Sequence, residues 1–270
     1  MKKVLIILLA LLLVGCSTGG SKTPEETNTF TVGMECNYAP FNWIQLDAND
    51  SAVKLEDGSY CDGYDVVIAQ AIADGLGKTL VIKAIAWEGL EPALNAGEID
   101  AIIAGMTETP ERAENADFTS PYYESEMVMI VKADSEYASA TCIQDFAGAT
   151  VLGQLNTTYD DIIDQIEGVN HATPLASYPF MIMALQNGEV DALTAELPVA
   201  IGTTTAHNDL AIVRFEDGLG FEADTTVSVA VKKGNTELLN AIQEVLDGIT
   251  FEQRNDWMLE ATNRQPAVEE

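Results

Sequence analysis

Arg112 and Glu196 are the side chains whose setting in this sequence suggests chemistry rather than packing. Each stands just beyond one copy of a repeated phrase. The first copy, Ala93-Leu94-Asn95-Ala96-Gly97-Glu98-Ile99-Asp100-Ala101, runs on to Ala104-Gly105-Met106-Thr107, with Arg112 close behind. The second, Ala184-Leu185-Gln186-Asn187-Gly188-Glu189-Val190-Asp191-Ala192, starts 91 residues later and runs on to Ala195-Glu196. Both have the composition of a helix end, a glycine stop and a short apolar strand. The residues at the strand exits differ: an open backbone, a hydroxyl and a guanidinium in one half, a carboxylate in the other. A guanidinium offers paired donors to an anion and a carboxylate accepts from a cation. Together they suit a molecule that is negative at one end and positive at the other.

Those groups need a scaffold that brings them to one place. Strand composition over 30–35 and 79–85 brackets a helical spacing from Gly63 to Gly77, and a helix over 89–95 leads through Gly97 to a strand at 99–104. The second half repeats the order, with a strand at 150–152, helices at 159–166 and 180–186, and a strand at 191–194. Such alternation implies an α/β protein of two similar lobes with mainly parallel sheets, each wound in the right-handed sense. A strand at 225–232 and helices at 237–249 and 251–259 have no place in a completed second lobe, so they are expected to return to the first. The chain then crosses twice, near Tyr123-Glu124 and near Glu222. The expected lobes are 28–123 plus 222–262 and 124–221, joined by a two-strand hinge, with a tail over 263–270. Ligands of open parallel sheets sit at the carboxyl ends of the strands, which sets Ala104–Thr107 and Glu196 face to face across the gap.

The N-terminus reads as an export signal over 1–16. Met1-Lys2-Lys3 precedes an apolar run from Val4 to Val14 that is too short to span a bilayer. Leu13-Val14-Gly15-Cys16 resembles a bacterial lipobox, in which the cysteine is acylated and becomes the new N-terminus. A lipid-anchored protein facing away from the cytoplasm is expected, on a flexible tether over 17–29. The net charge of −30 argues against nucleic acid and anionic lipid surfaces as partners. Cys36 and Cys61 are candidates for a disulfide in a non-cytosolic setting, and Cys142 is left over. His171 and His207 are isolated in the sequence, so neither a metal site nor a cofactor is expected. Asp47-Ala48-Asn49-Asp50-Ser51 has the start of a calcium loop, but Ala52 stands where glycine is needed, and 47–60 is expected to be a polar hairpin insert. Trp43, Trp87 and Trp257 are read as packing residues.

Four stretches, taken in order, carry a family likeness. They are Tyr38-Ala39-Pro40-Phe41, Gly63-Tyr64-Asp65-Val66, the run from Gly97 to Thr107 with Pro110-Glu111-Arg112, and Asp117-Phe118-Thr119-Ser120-Pro121-Tyr122-Tyr123. From about Phe30 to Leu259 the chain resembles the family 3 extracellular solute-binding proteins, the polar amino-acid receptors of ABC importers. The resemblance implies the periplasmic-binding-protein-like type II fold and a free L-amino acid held between closing lobes, in a monomer that docks on a permease. It implies that Arg112 clamps the α-carboxylate, that Thr107 adds its hydroxyl and amide, and that the Ala104-Gly105 backbone meets the α-ammonium or carboxylate. Across the cleft it implies that the Asn156-Thr157-Thr158 loop faces the carboxylate, with Thr158 in contact, and that Glu196 pairs with the α-ammonium. Many relatives carry glycine at 156, and aspartate is the commoner family choice at 196. Tyr38 and Tyr64 match positions that sandwich the ligand side chain, and Glu35 one that meets a basic tip, so arginine or lysine is favoured. Relatives of this scaffold include a prephenate or arogenate dehydratase, and a receptor for a membrane sensor would use the same ligand chemistry. An enzyme is not expected: Glu35 or Glu196 could be imagined as general acid or base, but a complete amino-acid clamp leaves little reason to assign either that role.

Overall fold

The computed structural model describes residues 28–266; the leader, Cys16 and nearly all of the expected tether lie outside the described residues. The first lobe opens with β1 (Thr29–Met34), whose Phe30, Val32 and Met34 are buried. A small antiparallel sheet follows, β2 (Asn37–Tyr38), β3 (Asn42–Gln45), β4 (Val53–Lys54) and β5 (Tyr60–Asp62), in the order β2-β3-β5-β4. The Cys36–Cys61 disulfide ties the end of β1 to this sheet. Next come α1 (Tyr64–Gly75), β6 (Thr79–Ala84), α2 (Trp87–Ala96), β7 (Ala101–Ile102), the single turn α3 (Pro110–Ala113), β8 (Ala116–Phe118) and the first crossing strand, β9 (Tyr123–Glu124). The second lobe holds β10 (Met127–Lys132), β11 (Thr150–Leu152), α4 (Thr158–Asp161), β12 (Asn170–His171), α5 (Tyr178–Asn187), β13 (Ala192–Glu196), α6 (Leu197–Ala206) and β14 (Leu210–Val213). The second crossing strand, β15 (Thr226–Val227), leads back to β16 (Ala230–Lys232), α7 (Thr236–Asp247) and α8 (Phe251–Arg264).

The two five-stranded sheets have matching orders, β6-β1-β7-β16-β8 and β12-β11-β13-β10-β14. In each, four strands run one way and one is reversed, β16 in the first and β10 in the second. The reversed strand is the one that enters from a crossing strand, so it must run away from the crossing while the others run towards it. The carboxyl ends of the forward strands therefore all face the junction, where β9 and β15 pair antiparallel, Tyr123 opposite Val227 and Glu124 opposite Thr226. This is the type II periplasmic-binding-protein architecture with its two-strand hinge.

The repeated phrase folds alike in both lobes. Gly97 and Gly188 both adopt the left-handed conformation, φ 76° and 73°, that glycine reaches without steric cost. Asp100 accepts from the Thr31 amide and Asp191 from the Thr150 amide, each at 2.8 Å, pinning β7 and β13 to their parallel neighbours.

Elsewhere the structure departs from expectation. The helix expected over 159–166 is the short α4 followed by a 3-10 turn at Ile162–Gln165. The strand expected over 225–232 breaks at Ser228-Val229, because its first part belongs to the hinge and its second to the sheet. Helix α6 is not among the expected elements: its glycine and three threonines are weak helix formers, and it is held instead by burial of Val199, Ala200, Gly202 and Thr203. Residues 263–266 are not a free tail. Helix α8 continues to Arg264, which pairs with the buried Asp62 at 2.9 Å, and Gln265 packs on Gly202, where a Cβ would lie 2.5 Å from its Oε1. His171 is not isolated either; its ring lies between Asp160 and Asp164 at 3.0 and 2.9 Å. No group of three metal-ligating side chains and no helix long and apolar enough to cross a membrane occurs among the described residues.

Candidate functional site

Strand exits build both walls of the gap between the lobes. On the first wall, β1 delivers Glu35, and Cys36, with φ 54° and its disulfide, turns the chain so that Tyr38 stacks on Phe41 at 5.3 Å. Beyond β7, Gly105 adopts φ 61°, and a Cβ there would sit 3.1 Å from the Tyr38 ring, so glycine is what admits the tyrosine. Thr109 caps α3 by accepting from the Arg112 amide at 3.2 Å, and Pro110 starts the turn, which fixes Arg112 at the cleft. The guanidinium lies over the Trp87 ring at 5.1 Å, donates to the Thr107 carbonyl at 2.8 Å and comes within 3.6 Å of Glu91.

The second wall begins where β11 ends. Gly153 leaves room for α4, since a Cβ would lie 2.5 Å from the Asp160 Cα. Gln154 donates to both Glu35 oxygens at 3.2 Å, reaching across the gap. Asn156 has φ 59°, the region that glycine favours and asparagine tolerates. The chain thus keeps the turn that a glycine would make there, and adds a side chain that donates to Glu88 at 3.1 Å. The Asn156 carbonyl accepts from Arg112 at 3.1 Å and from the Trp87 indole at 3.0 Å. Glu196 ends β13 fully buried, accepting from the Tyr38 hydroxyl at 2.6 Å and from Ser125 at 2.9 Å.

Between these walls the structure leaves a narrow cavity of about 20 Å³, room for about one water molecule. Eight expected residues line it: Glu35, Tyr38, Ala104, Gly105, Thr107, Arg112, Thr157 and Thr158. Two do not. Tyr64 is buried in the first lobe, edge-on to Phe41 and Tyr123, with its hydroxyl donating to the Tyr122 carbonyl at 3.0 Å; it starts α1 on the core face, so it supports the floor and makes no wall. Glu196 lies one layer behind the surface, covered by Tyr38. Three lining residues are not among those expected, Trp87, Gln154 and Tyr159. All three stand at strand exits or helix starts, so the rule that located Gly105 would have found them. Tyr159 is buried with its hydroxyl unpartnered.

Charge in the site is unbalanced. Burial pushes the Glu35 and Glu196 carboxyls up to about 7, although each accepts hydrogen bonds that act the other way. Asp65, buried beneath the floor, is likewise raised to about 7 by burial, against the bonds from Tyr122 and Asn42. Among the described residues Arg112 is the one basic side chain on the lining. Glu35 on the lining, Glu196 one layer behind it and Arg112 on the lining thus set two carboxyls against one guanidinium around the cleft.

The chain and its fold match known proteins. Residues 30–256 match the bacterial extracellular solute-binding proteins, family 3. ABC transporter arginine-binding protein 1 of Escherichia coli (strain K12) is 28% identical over 239 residues, 88% of this chain and 90% of that protein. The L-cystine-binding protein TcyJ of the same strain is 28% identical over 242 residues, covering 89% and 83%. The crystal structure of the substrate-binding protein of an amino acid ABC transporter superposes with a TM-score of 0.73 at 31% identity, over 88% of this chain and all of that one.

Proposed function

Because this chain belongs to the bacterial extracellular solute-binding proteins, family 3, we propose that it is the receptor of an amino-acid ABC importer and that its ligand is a basic L-amino acid, arginine or lysine. The observation that carries the choice is the charge set of the cleft. Arg112 would meet the α-carboxylate with Thr107, Thr157 and Thr158, Glu196 the α-ammonium, and Glu35 the side-chain cation, with Tyr38 and Trp87 as apolar walls. A neutral side chain would leave the buried Glu35 carboxyl with Gln154 as a donor but with no opposite charge. The arginine-binding relative supports the basic choice, while the cystine-binding one marks its main competitor.

Function on this reading is binding without turnover. The lobes, taken as 28–123 plus 222–262 and 124–221, close about the β9–β15 hinge, whose two strands pair antiparallel. The closed monomer docks on a permease while Cys16, acylated at the lipobox, keeps it at the outer face of the membrane. Calorimetric titration with the twenty amino acids tests the ligand: arginine or lysine should bind with micromolar or tighter affinity, and failure of all twenty would overturn the receptor reading. Mass spectrometry of the membrane fraction tests the anchor, which requires a diacylated Cys16.

A further inference from the structure

The two residues that flank the first crossing strand each hold one wall of the cleft. Tyr122, one residue before β9, is fully buried and has every polar group engaged. Its amide donates to Val227 of the other crossing strand at 2.8 Å, its carbonyl accepts from Tyr64, and its hydroxyl donates to Asp65 at 2.7 Å while accepting from the Gly105 amide at 3.1 Å. Ser125, one residue after β9, donates its hydroxyl to Glu196 at 2.9 Å, and its carbonyl accepts from Thr225, one residue before β15, at 2.7 Å. A third tie links the Met106 carbonyl to the Ser228 amide just past β15, at 2.9 Å.

We propose that Tyr122 and Ser125 are positioning residues that fix the ligand-facing turn at Gly105 and the carboxylate of Glu196 to the hinge. The inference rests on reading the cleft as an amino-acid site. Its physical content is that hinge strands absorb backbone rotation when lobes close, so groups bonded to their flanks move with them. Gly105 and Glu196 occupy equivalent places 91 residues apart in the two copies of the phrase. Each is held by the residue of the crossing that lies on its own side. The recognition groups then take up their spacing only when the hinge reaches the angle that closes the lobes.

Tyr122→Phe and Ser125→Ala remove one hydroxyl each and leave the packing intact. The probe is L-arginine, or the amino acid selected from the twenty should that differ. Each variant should weaken its binding by about tenfold, the effect of one hydrogen bond to a site group. Ser125→Ala should also move the midpoint of affinity against pH upward, because Glu196 loses a donor that favours its ionised form. The titratable groups facing Glu196 are Tyr38, Tyr123, Tyr159 and Tyr178, with Asp65 further off, so no cation masks the change. Ser125→Thr keeps a hydroxyl and should restore both readouts. In Tyr122→Phe the Gly105 amide resonance should shift and lose protection from hydrogen exchange. Unchanged affinity and pH midpoint in Ser125→Ala would overturn the proposal, and so would an affinity loss with the midpoint unmoved, which is what a merely structural hydroxyl would give. The serine variants still decide the matter if Tyr122→Phe fails to fold. Absence of any amino-acid binding by the unsubstituted protein would instead reject the receptor reading.

Discussion

The exits of β7 and β13 share a backbone and part company at one side chain. Up to Asp100 and Asp191 the two copies match in helix end, left-handed glycine and aspartate-to-amide bond. Five residues on, the first copy has Gly105 and the second Glu196. Tyr38 reads both: its ring packs where Gly105 has no side chain, and its hydroxyl donates to Glu196. The carboxylate at this register position in one copy, and Arg112 beyond it in the other, therefore set the polarity of the cleft, and the common scaffold holds the two exits opposite one another. If that is right, changes to the divergent residues should alter binding and changes to the shared residues should alter stability alone.

The largest effect is expected on the cationic side. Arg112→Ala should weaken arginine binding by about a thousandfold, in the range for removing one partner of a buried charge pair, with calorimetry as the measurement. On the anionic side, Glu196→Gln should cost roughly a hundredfold and flatten the pH dependence. The sign follows from the raised carboxyls. Glu35 and Glu196 hold protons below about 7 and must release them to pair with a cation, so affinity should fall as pH drops from 8 to 6. Stability without ligand runs the opposite way, since a raised carboxyl stabilises the fold below its unfolded value and loses that contribution as pH rises through about 7. Thermal melts at pH 5 and pH 8 should show a lower midpoint at the higher pH.

Smaller effects separate scaffold from site. Gly105→Ala puts a Cβ at φ 61° and 3.1 Å from Tyr38, so it should lower both affinity and melting temperature, the backbone part alone costing about 1–2 kcal/mol. Gly97→Ala and Gly188→Ala carry the same backbone cost; a Cβ meets nothing within 4 Å at Gly97 and only the Lys132 Nζ, at an ordinary 3.5 Å, at Gly188. They should destabilise the two lobes equally, by about 1 kcal/mol, and leave the dissociation constant alone. Unequal costs would break the equivalence of the two copies.

Repetition made the fold legible, since glycine stops and apolar strands are local signals that a sequence states outright. The eight lining residues were likewise reached through strand exits and family likeness. Burial of Glu196 was not legible, because it depends on Tyr38, 158 residues away. Tyr64 misled for a related reason: its motif resembles the family's, but the face of α1 it occupies is set by packing against Phe41, Tyr122 and Tyr123. Trp87 reads as packing when its residue type alone is weighed; its place at the start of α2 and its stacking beneath Arg112 assign it to the cleft.

Glu35 and Tyr38 straddle Cys36, and the bond from Cys36 to Cys61 closes a loop with a sequence separation of 25. Closure of that length removes unfolded-chain entropy equivalent to roughly 3–4 kcal/mol. On the proposed reading, oxidation would be a maturation step for recognition as well as for folding. A chain still in the reducing cytosol lacks the strap that orders the mouth of its own cleft. On the proposed receptor reading, the strap would therefore close in the compartment where the ligand is captured.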